Sequence, residues 1–269
     1  DIPQKDLEAT IILEILRFTV ITIYVLISSL IGLFICIVRP FHPNNTWVMG
    51  RLIGRVVTRL LGLKVIIEGR ENFDKVPESG VIISNHQNNY DIFVIGQMTP
   101  KRTVSLGKKS IRLLPIFGQM YWLAGNILIN RTNKKSAMST MTGAGKEMIR
   151  KHLKVWIMPE GTRSRGRGIL PFKKGAFHIA SQCDLPIIPV ILSSYEFHVD
   201  TKKWNSGAVR VRVLAPIDVA KMKEEYQGDG FVNHLKDHCE QIIRTEVAKA
   251  DLETYGADKV KLEHTQRVM

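Results

Sequence analysis

Residues 81–95 read VIISNHQNNYDIFVI, two apolar runs separated by a polar heptapeptide. The first run, bounded by Gly80 and the Asn-rich cluster, predicts a buried strand that ends in a turn. The second run predicts the start of a helix, with Asp91 as its N-cap. The stretch is therefore read as a strand–turn–helix unit of an α/β domain.

The predicted turn holds a histidine and an aspartate five residues apart, His86 and Asp91. On a continuous helix, residues five apart point about 140° away from each other, so the two side chains could not meet there. Across a strand–turn–helix, the carboxylate can accept a hydrogen bond from one imidazole nitrogen and leave the other as a base near neutral pH. The pair predicts a base that deprotonates a hydroxyl, although the same spacing is also compatible with an ordinary loop histidine.

Beyond residue 63, short apolar runs alternate with longer stretches of helical period. This alternation predicts an α/β domain with a largely parallel sheet flanked by helices. The predicted strands cover residues 64–68, 81–84, 126–129, 155–158 and 186–192. A further strand at 208–214 alternates valines with Arg210 and Arg212, which indicates a half-exposed strand nearer an edge of the sheet. An amphipathic helix over 231–247 closes the domain.

The N-terminal part of the chain carries a long uncharged segment. Residues 18–38 are 21 consecutive residues without a charge, enough to cross a hydrocarbon core of about 30 Å at about 1.5 Å per residue. Since no small-residue cleavage site follows, we interpret the segment as a retained membrane anchor; a buried core helix is the alternative. The excess of Lys and Arg after residue 38 places the remaining chain on the cytoplasmic side.

A second helix is predicted over residues 46–61, with three arginines on one face and apolar residues on the other. Arg51, Arg55 and Arg59 recur every four residues, a spacing typical of a helix lying in the membrane interface or of a simple solvated face. The predicted organisation is thus 1–62 for membrane-anchoring helices, 63–250 for the α/β domain and 251–269 for a polar tail.

The overall charge of the 269-residue chain narrows the class of partner. The formal net charge is +13, which favours anionic partners such as a membrane face or phosphorylated substrates. Aromatic residues make up only 7% and do not interleave with basic residues, so nucleic acid is not expected as a partner. The three cysteines have no metal-ligand spacing and fit a reducing compartment, so no metal site is predicted.

Three further motifs accompany the His86 turn. They are GKKS at 107–110, which continues to GNILINR at 125–131, then PEGTRS at 159–164, and LPIIPV at 185–190. Gly-rich turns with adjacent Lys, Arg and hydroxyl residues offer donors suited to a phosphate group. Each turn alone is as compatible with an ordinary surface loop.

In this order and at these spacings, the four motifs resemble the four sequence blocks of the glycerolipid acyltransferase family. The resemblance is closest to its bacterial members that acylate a lysophosphatidic acid, and it extends from the N-terminus to about Leu214. It implies the fold of the glycerol-3-phosphate acyltransferases and a place at the bacterial inner membrane. One departure is Asn130, where the family usually has an acidic residue.

The resemblance also implies roles for individual residues. His86, oriented by Asp91, would take the proton from the acceptor hydroxyl as that oxygen attacks an acyl thioester, giving phosphatidic acid. No cofactor is implied; acyl-CoA or acyl carrier protein would bring the acyl group. The acceptor phosphate would be held by Gly161, Thr162 and Arg163, with contributions from Lys108 or Lys109 and Arg131. Glu160 would position Arg163 or the glycerol, or would cap a turn.

Other functions remain compatible with the sequence. The acceptor could be another lysophospholipid or glycerol 3-phosphate, and a thioesterase would use a similar base. From a different class, the chain could be a non-catalytic, basic, membrane-tethered protein that binds phospholipid or nucleic acid.

Overall fold

The computed structural model describes residues 4–76, 78–130 and 134–261, without the side chains of residues 4–9, 134–140, 142 and 144. Two helices come first, α1 (Gln4–Val38) and α2 (Asn45–Leu60). The strands that follow are β1 (Leu63–Glu68), β2 (Gly80–Ser84), β3 (Thr103–Lys108), β4 (Ile127–Ile129), β5 (Lys154–Ile157), β6 (Ile187–Leu192) and β7 (Gly207–Val213). The later helices are α3 (Asp91–Gly96), α4 (Phe117–Leu123), α5 (Lys134–Lys151), α6 (Gly175–Gln182), α7 (Val219–Glu225) and α8 (Phe231–Tyr255), with 3-10 helices at Arg70–Phe73 and Lys109–Leu113.

The strands form one sheet between two helical layers. Their order is β1-β7-β6-β2-β5-β3-β4, and among the described pairings only β6 with β7 is antiparallel. Helices α1, α2, α3 and α4 pack on one face of the sheet through one apolar cluster. Helices α5, α6 and α8 pack on the other face through a second cluster. The prediction of a largely parallel sheet flanked by helices is confirmed.

Strand β3 was not predicted from the sequence. It lies between β5 and β4, with Thr103 paired to Lys154 and Leu106 paired to Ile127. The segment has few apolar residues and is flanked by basic ones. It therefore lacks the longer run of β-branched residues that indicates a strand. Gly107 and Lys108 therefore end a strand, and the interpretation of residues 107–110 as a Gly-rich turn is wrong for these two.

The pattern predicted for β7, a half-exposed strand nearer an edge of the sheet, is confirmed: its valines are buried and its arginines are partly exposed. The strand lies between β1 and β6, second from the edge of the sheet. Arg212 forms ion pairs with Glu68 at 2.8 Å, Glu246 at 3.4 Å and Glu253 at 2.5 Å. Because Glu246 and Glu253 belong to α8, that helix covers part of the face that carries the arginines.

The C-terminal boundary predicted at residue 250 falls inside α8. Asp251 is buried and accepts a hydrogen bond from the backbone N–H of Ser194 at 2.5 Å. The Tyr255 hydroxyl lies 3.0 Å from the Ser193 hydroxyl and donates to the carbonyl of Ala208. The domain therefore includes residues 251–255, and residues 262–269 of the predicted tail lie outside the described part of the chain.

Helix α1 lies along the domain. In its N-terminal half the Arg17 guanidinium donates to the carbonyl of Lys203 at 2.8 Å, and after its end the Phe41 N–H donates to the carbonyl of Leu123 at 2.8 Å. Its outer flank leaves large apolar side chains exposed, including Ile23, Ile27, Leu30, Phe34 and Val38. Within the described residues, Thr10–Val38 is the one helix long and apolar enough to cross a membrane, with a mean hydropathy of 2.7.

Helix α2 packs its apolar face against the domain, mainly on α3. A Cβ at Gly54 would lie 2.5 Å from the carbonyl oxygen of Phe93, so only glycine permits this close approach. Ile53 and Val57 are buried in the cluster shared with the sheet. Protein therefore covers much of this apolar face, and the position of α2 in the membrane interface stays a prediction. Of the three arginines, Arg55 and Arg59 remain exposed.

Candidate active site

The candidate site lies along the edge of the sheet that is formed by the carboxyl ends of the parallel strands, and not beside an outermost strand. Strands β2, β5, β3 and β6 run parallel to one another, so their carboxyl ends meet at this edge. His86 follows β2, Glu160 follows β5, Tyr195 follows β6 and Lys108 ends β3. In open α/β sheets, the carboxyl ends of the strands form the crevice that binds ligands.

The structure brings His86 and Asp91 into contact. Imidazole Nδ1 lies 2.6 Å from carboxylate Oδ2, with Asp91 fully buried and the His86 side chain 19% exposed. Because an ionised carboxylate only accepts hydrogen bonds, Nδ1 carries the proton and Nε2 is left as the acceptor. The pair therefore presents a base on its exposed side.

Asp91 is the first residue of α3 and not its N-cap, which is Tyr90. Its carboxylate turns back to the preceding loop, where Oδ2 accepts from the backbone N–H of Gln87 at 2.6 Å and of Asn88 at 3.1 Å. The predicted N-cap role is wrong because these loop donors and His86 occupy the carboxylate.

A fourth donor to Asp91 comes from Tyr195, a residue that the sequence analysis missed. Its hydroxyl, fully buried, donates to Asp91 Oδ1 at 2.5 Å. Burial, together with the neighbouring carboxylate, raises the pKa of Tyr195 well above its ordinary value, so the hydroxyl stays protonated as a donor. Four donors together fix the carboxylate and, through it, the imidazole ring.

Glu160 ties the His86 turn to the loop that follows β5. Its Oε1 accepts from the backbone N–H of His86 at 2.6 Å, and its Oε2 accepts from the backbone N–H of Leu170 at 2.9 Å. The side chain is only 2% exposed, and this desolvation raises the pKa of Glu160 to about 7. Among the roles considered for Glu160, its contacts are those of a residue that caps a turn.

The loop carrying Arg163 lies directly against the turn. Ser164 N–H donates to the carbonyl of His86 at 2.8 Å, and Arg165 N–H donates to the carbonyl of Gln87 at 3.0 Å. The Arg163 guanidinium donates to the side-chain oxygen of Asn89, three residues from His86. A cationic fork is thus held beside the candidate base.

The other predicted phosphate-binding residues lie in two different places. Gly161, with φ of +69°, and the exposed Thr162 lie in the loop of Arg163. A Cβ at Gly161 would lie 2.8 Å from Nζ of Lys173, a cation that the sequence analysis missed because no motif contains it. Lys108 and Lys109 are exposed at the end of β3, two strands from β2. Arg131 lies outside the described residues.

Two amides next to the base anchor it to the end of β6. Asn85 exchanges two hydrogen bonds of 2.8 Å with the backbone of Leu192. Gln87 donates to the carbonyl of Ser193 at 2.8 Å and accepts from the N–H of Tyr195 at 2.9 Å. Both amides stand in the polar heptapeptide, but only the fold reveals their partners. Across the described side chains, no group of three His, Cys, Asp or Glu residues could hold a metal ion.

Comparisons with known proteins identify relatives of this chain. A family model described as Acyltransferase matches residues 64–193. A 1-acyl-sn-glycerol-3-phosphate acyltransferase of Salmonella typhimurium is 40% identical over 242 residues, which cover 90% of this chain and 96% of that protein. The protein of the same name from Escherichia coli is 38% identical over 242 residues.

More distant relatives are also similar to this chain. The human 1-acyl-sn-glycerol-3-phosphate acyltransferase alpha is 32% identical over 196 residues, covering 72% of this chain and 69% of that protein. The crystal structure of a 1-acyl-sn-glycerophosphate acyltransferase from Thermotoga maritima superposes with a TM-score of 0.68 at 19% identity, covering 89% of this chain and 96% of that one. This superposition supports the fold.

Proposed function

Because the chain belongs to the 1-acyl-sn-glycerol-3-phosphate acyltransferase family, we propose that it transfers a fatty acyl group from an acyl thioester to the sn-2 hydroxyl of 1-acyl-sn-glycerol 3-phosphate. The product would be phosphatidic acid, a precursor of phospholipids. The observation that carries the proposal is the 2.6 Å contact between His86 and the buried Asp91 at the carboxyl edge of the sheet.

The proposed chemistry is a direct transfer. His86 Nε2 takes the proton of the sn-2 hydroxyl while that oxygen attacks the thioester carbonyl, and Asp91 stabilises the imidazolium that forms. Collapse of the tetrahedral adduct breaks the carbon–sulfur bond, and the imidazolium returns its proton to the departing thiolate. General-base assistance of this kind is typically worth about 10²–10⁴ in rate.

An acyl-enzyme is not part of the proposal. Of the three cysteines, Cys36 and Cys239 are buried, and burial raises the pKa of Cys239 to about 12, which disfavours a thiolate. Nor does the sequence contain a Gly-x-Ser-x-Gly motif, which would place a nucleophilic serine on a strand–helix turn.

The acceptor phosphate would bind between the loop of Arg163 and the end of β3. The Arg163 fork lies beside the His86 turn, and Lys173 approaches Gly161 in the same loop. Lys108 and Lys109 would add positive charge from the far side. A planar guanidinium matches two phosphate oxygens at once, whereas an ammonium acts as a point charge.

We therefore expect Arg163→Lys to raise the KM for the acceptor by on the order of tenfold, because the bidentate contact is lost while the charge remains. The turnover number at saturating acceptor should change much less. Initial rates over a range of acceptor concentrations measure both values. Arg165→Lys, two residues away in the same loop, is the matched control, and an equal KM in the two variants would argue against a phosphate role for Arg163.

The acyl carrier and the location are proposals as well. Acyl-CoA and acyl carrier protein are both anionic, and both suit a chain with a net charge of +13. The exposed apolar flank of α1 supports attachment to a bilayer, here taken to be the bacterial inner membrane with the domain on its cytoplasmic side. No resident cofactor or metal is part of the proposed reaction.

Thiol release from an acyl thioester by the purified protein in detergent tests the function. Release that requires 1-acyl-sn-glycerol 3-phosphate, with phosphatidic acid as the product, is the expected result. Competition with glycerol 3-phosphate and other lysophospholipids identifies the acceptor. Acceptor-independent release would instead identify a thioesterase, and no release with either carrier would favour a non-catalytic lipid-binding protein.

A further inference from the structure

Two leucines project from the surface between β3 and α4. Leu113 is 81% exposed and Leu114 is 50% exposed. They belong to the segment Leu113-Leu114-Pro115-Ile116, here called the leucine turn. Burying side chains of this size is favourable in proportion to their apolar area, so a rigid pair held in the open indicates a surface that meets another apolar phase.

The leucine turn is fixed by its backbone. Ile116 has φ of +63° and ψ of −61°, and the N–H of Phe117 donates to the carbonyl of Pro115 at 2.6 Å, which closes a strained γ-turn. Positive φ is unusual for a β-branched residue. The next residue, Gly118, donates to the carbonyl of Leu114 at 2.8 Å. The two leucines are therefore presented by a defined structure and not by a loose loop.

A chain of aromatic contacts connects the leucine turn to the end of α1. The guanidinium carbon of Arg112 lies 4.4 Å from the centre of the Trp122 ring, and that ring meets Phe41 edge-on at 5.4 Å between centroids. Phe41 follows the exposed Ile37 and Val38 of α1. Trp122 and Phe41 therefore connect the residue that precedes the leucine turn to the residues that follow α1.

Exposed cations precede the leucine turn in the sequence. Lys108, Lys109 and Arg112 stand immediately before the two leucines and are exposed. An apolar tip beside several cations matches a bilayer with anionic headgroups, because the hydrocarbon takes the leucines while the lipid phosphates pair with the cations. The same arrangement fits an acidic protein less well, since its charged surface would not bury the leucines.

We propose that the leucine turn inserts into an anionic lipid layer beside the C-terminal end of α1. Lys108, Lys109 and Arg112 then lie at the level of the phosphates. Since Lys108 ends β3 at the edge that carries His86, the candidate site opens towards the lipid from which an acceptor would enter. The entry of an acceptor from this lipid rests on the proposed function, whereas insertion of the leucine turn does not.

Fluorescence quenching by brominated lipid acyl chains tests the insertion. Cysteine is introduced at position 113 of the full chain by Leu113→Cys, in a Cys183→Ser background that removes the half-exposed native thiol. An environment-sensitive dye at this position should be quenched in vesicles of phosphatidylethanolamine and phosphatidylglycerol as strongly as a dye introduced by Val38→Cys. The control is a dye introduced by Ile149→Cys, at a position that is 46% exposed. The neighbouring Met148 carbonyl accepts a hydrogen bond from Ser79, which precedes β2, so this position lies at the amino ends of the strands. A dye there should not be quenched.

Quenching at position 38 without quenching at position 113 would overturn the proposal. If the emission of the dye at position 113 reports the same apolar environment in the absence of vesicles, a second copy of the chain covers the leucine turn. That result would also overturn the proposal. A second variant, Leu113→Ser with Leu114→Ser, should bind the same vesicles about tenfold more weakly, since two apolar side chains no longer leave water. Because both readouts need no acyl transfer, failure of the catalytic proposal is separable from failure of this one.

Discussion

His86→Ala should lower the turnover number for acyl transfer by about 10²–10⁴-fold, the range that general-base catalysis typically contributes. The substitution removes the imidazole but leaves the backbone N–H that donates to Glu160 and the carbonyl that accepts from Ser164. The turn should therefore keep its position, and the loss should report the missing base. The KM for the acceptor should change little, because the proposed phosphate-binding cations remain.

Thiol release with both substrates at saturation measures this loss. His238→Ala, an exposed histidine on α8, is the matched control and should retain full turnover. A thermal unfolding midpoint close to that of the unmodified protein would show that the His86 variant is folded. Turnover that survives in a folded His86→Ala protein would mean that another group takes the proton, and the proposed mechanism would then be wrong.

Asp91→Asn should also cost on the order of 10²–10⁴-fold in turnover, for an electrostatic reason. The amide can keep its oxygen towards His86, Gln87 and Asn88 and turn its NH2 towards Tyr195. The Tyr195 hydroxyl can then accept from the NH2 and donate to Asn88 Oδ1, which lies 2.7 Å away. The geometry is preserved, but the charge that stabilises the imidazolium is gone.

A second buried aspartate offers a close control for this substitution. Asp251 is 6% exposed and accepts a hydrogen bond from the N–H of Ser194, beyond the end of β6. Asp251→Asn should lower stability while turnover stays near that of the unmodified protein. If the two asparagine variants lost turnover equally, the effect at Asp91 would be one of general packing. Unchanged turnover in Asp91→Asn would exclude the pairing as the source of catalysis.

The contact between His86 and Asp91 was predictable because both residues lie in the eleven-residue stretch 81–91. An apolar strand, a polar turn and an apolar helix start fix the distance between His86 and Asp91 without help from distant residues. The parallel sheet was predictable for a similar reason, since alternating strand and helix patterns leave few arrangements. In both cases, short-range pattern and elementary geometry were sufficient.

The remaining features depend on partners that are remote in the sequence. The valine–arginine alternation of β7 predicts a half-exposed strand, but it does not predict that Glu246 and Glu253 of α8 pair with Arg212. Likewise, the amphipathic pattern of α2 does not distinguish lipid from α3 as the phase that covers its apolar face. Tyr195 lies 104 residues from Asp91 along the chain, and no periodicity or motif links them.

The carboxylate of Glu160 makes the His86 turn and the loop of Arg163 a single energetic unit. Its two oxygens are shared between the backbone of His86 and that of Leu170, while Ser164 and Arg165 bind back to the turn. A change that shifts one loop must therefore strain the other, and free-energy effects of residues joined in one network do not add. The affinity for the acceptor phosphate and the placement of the base are accordingly thermodynamically coupled, so neither loop can be redesigned independently of the other.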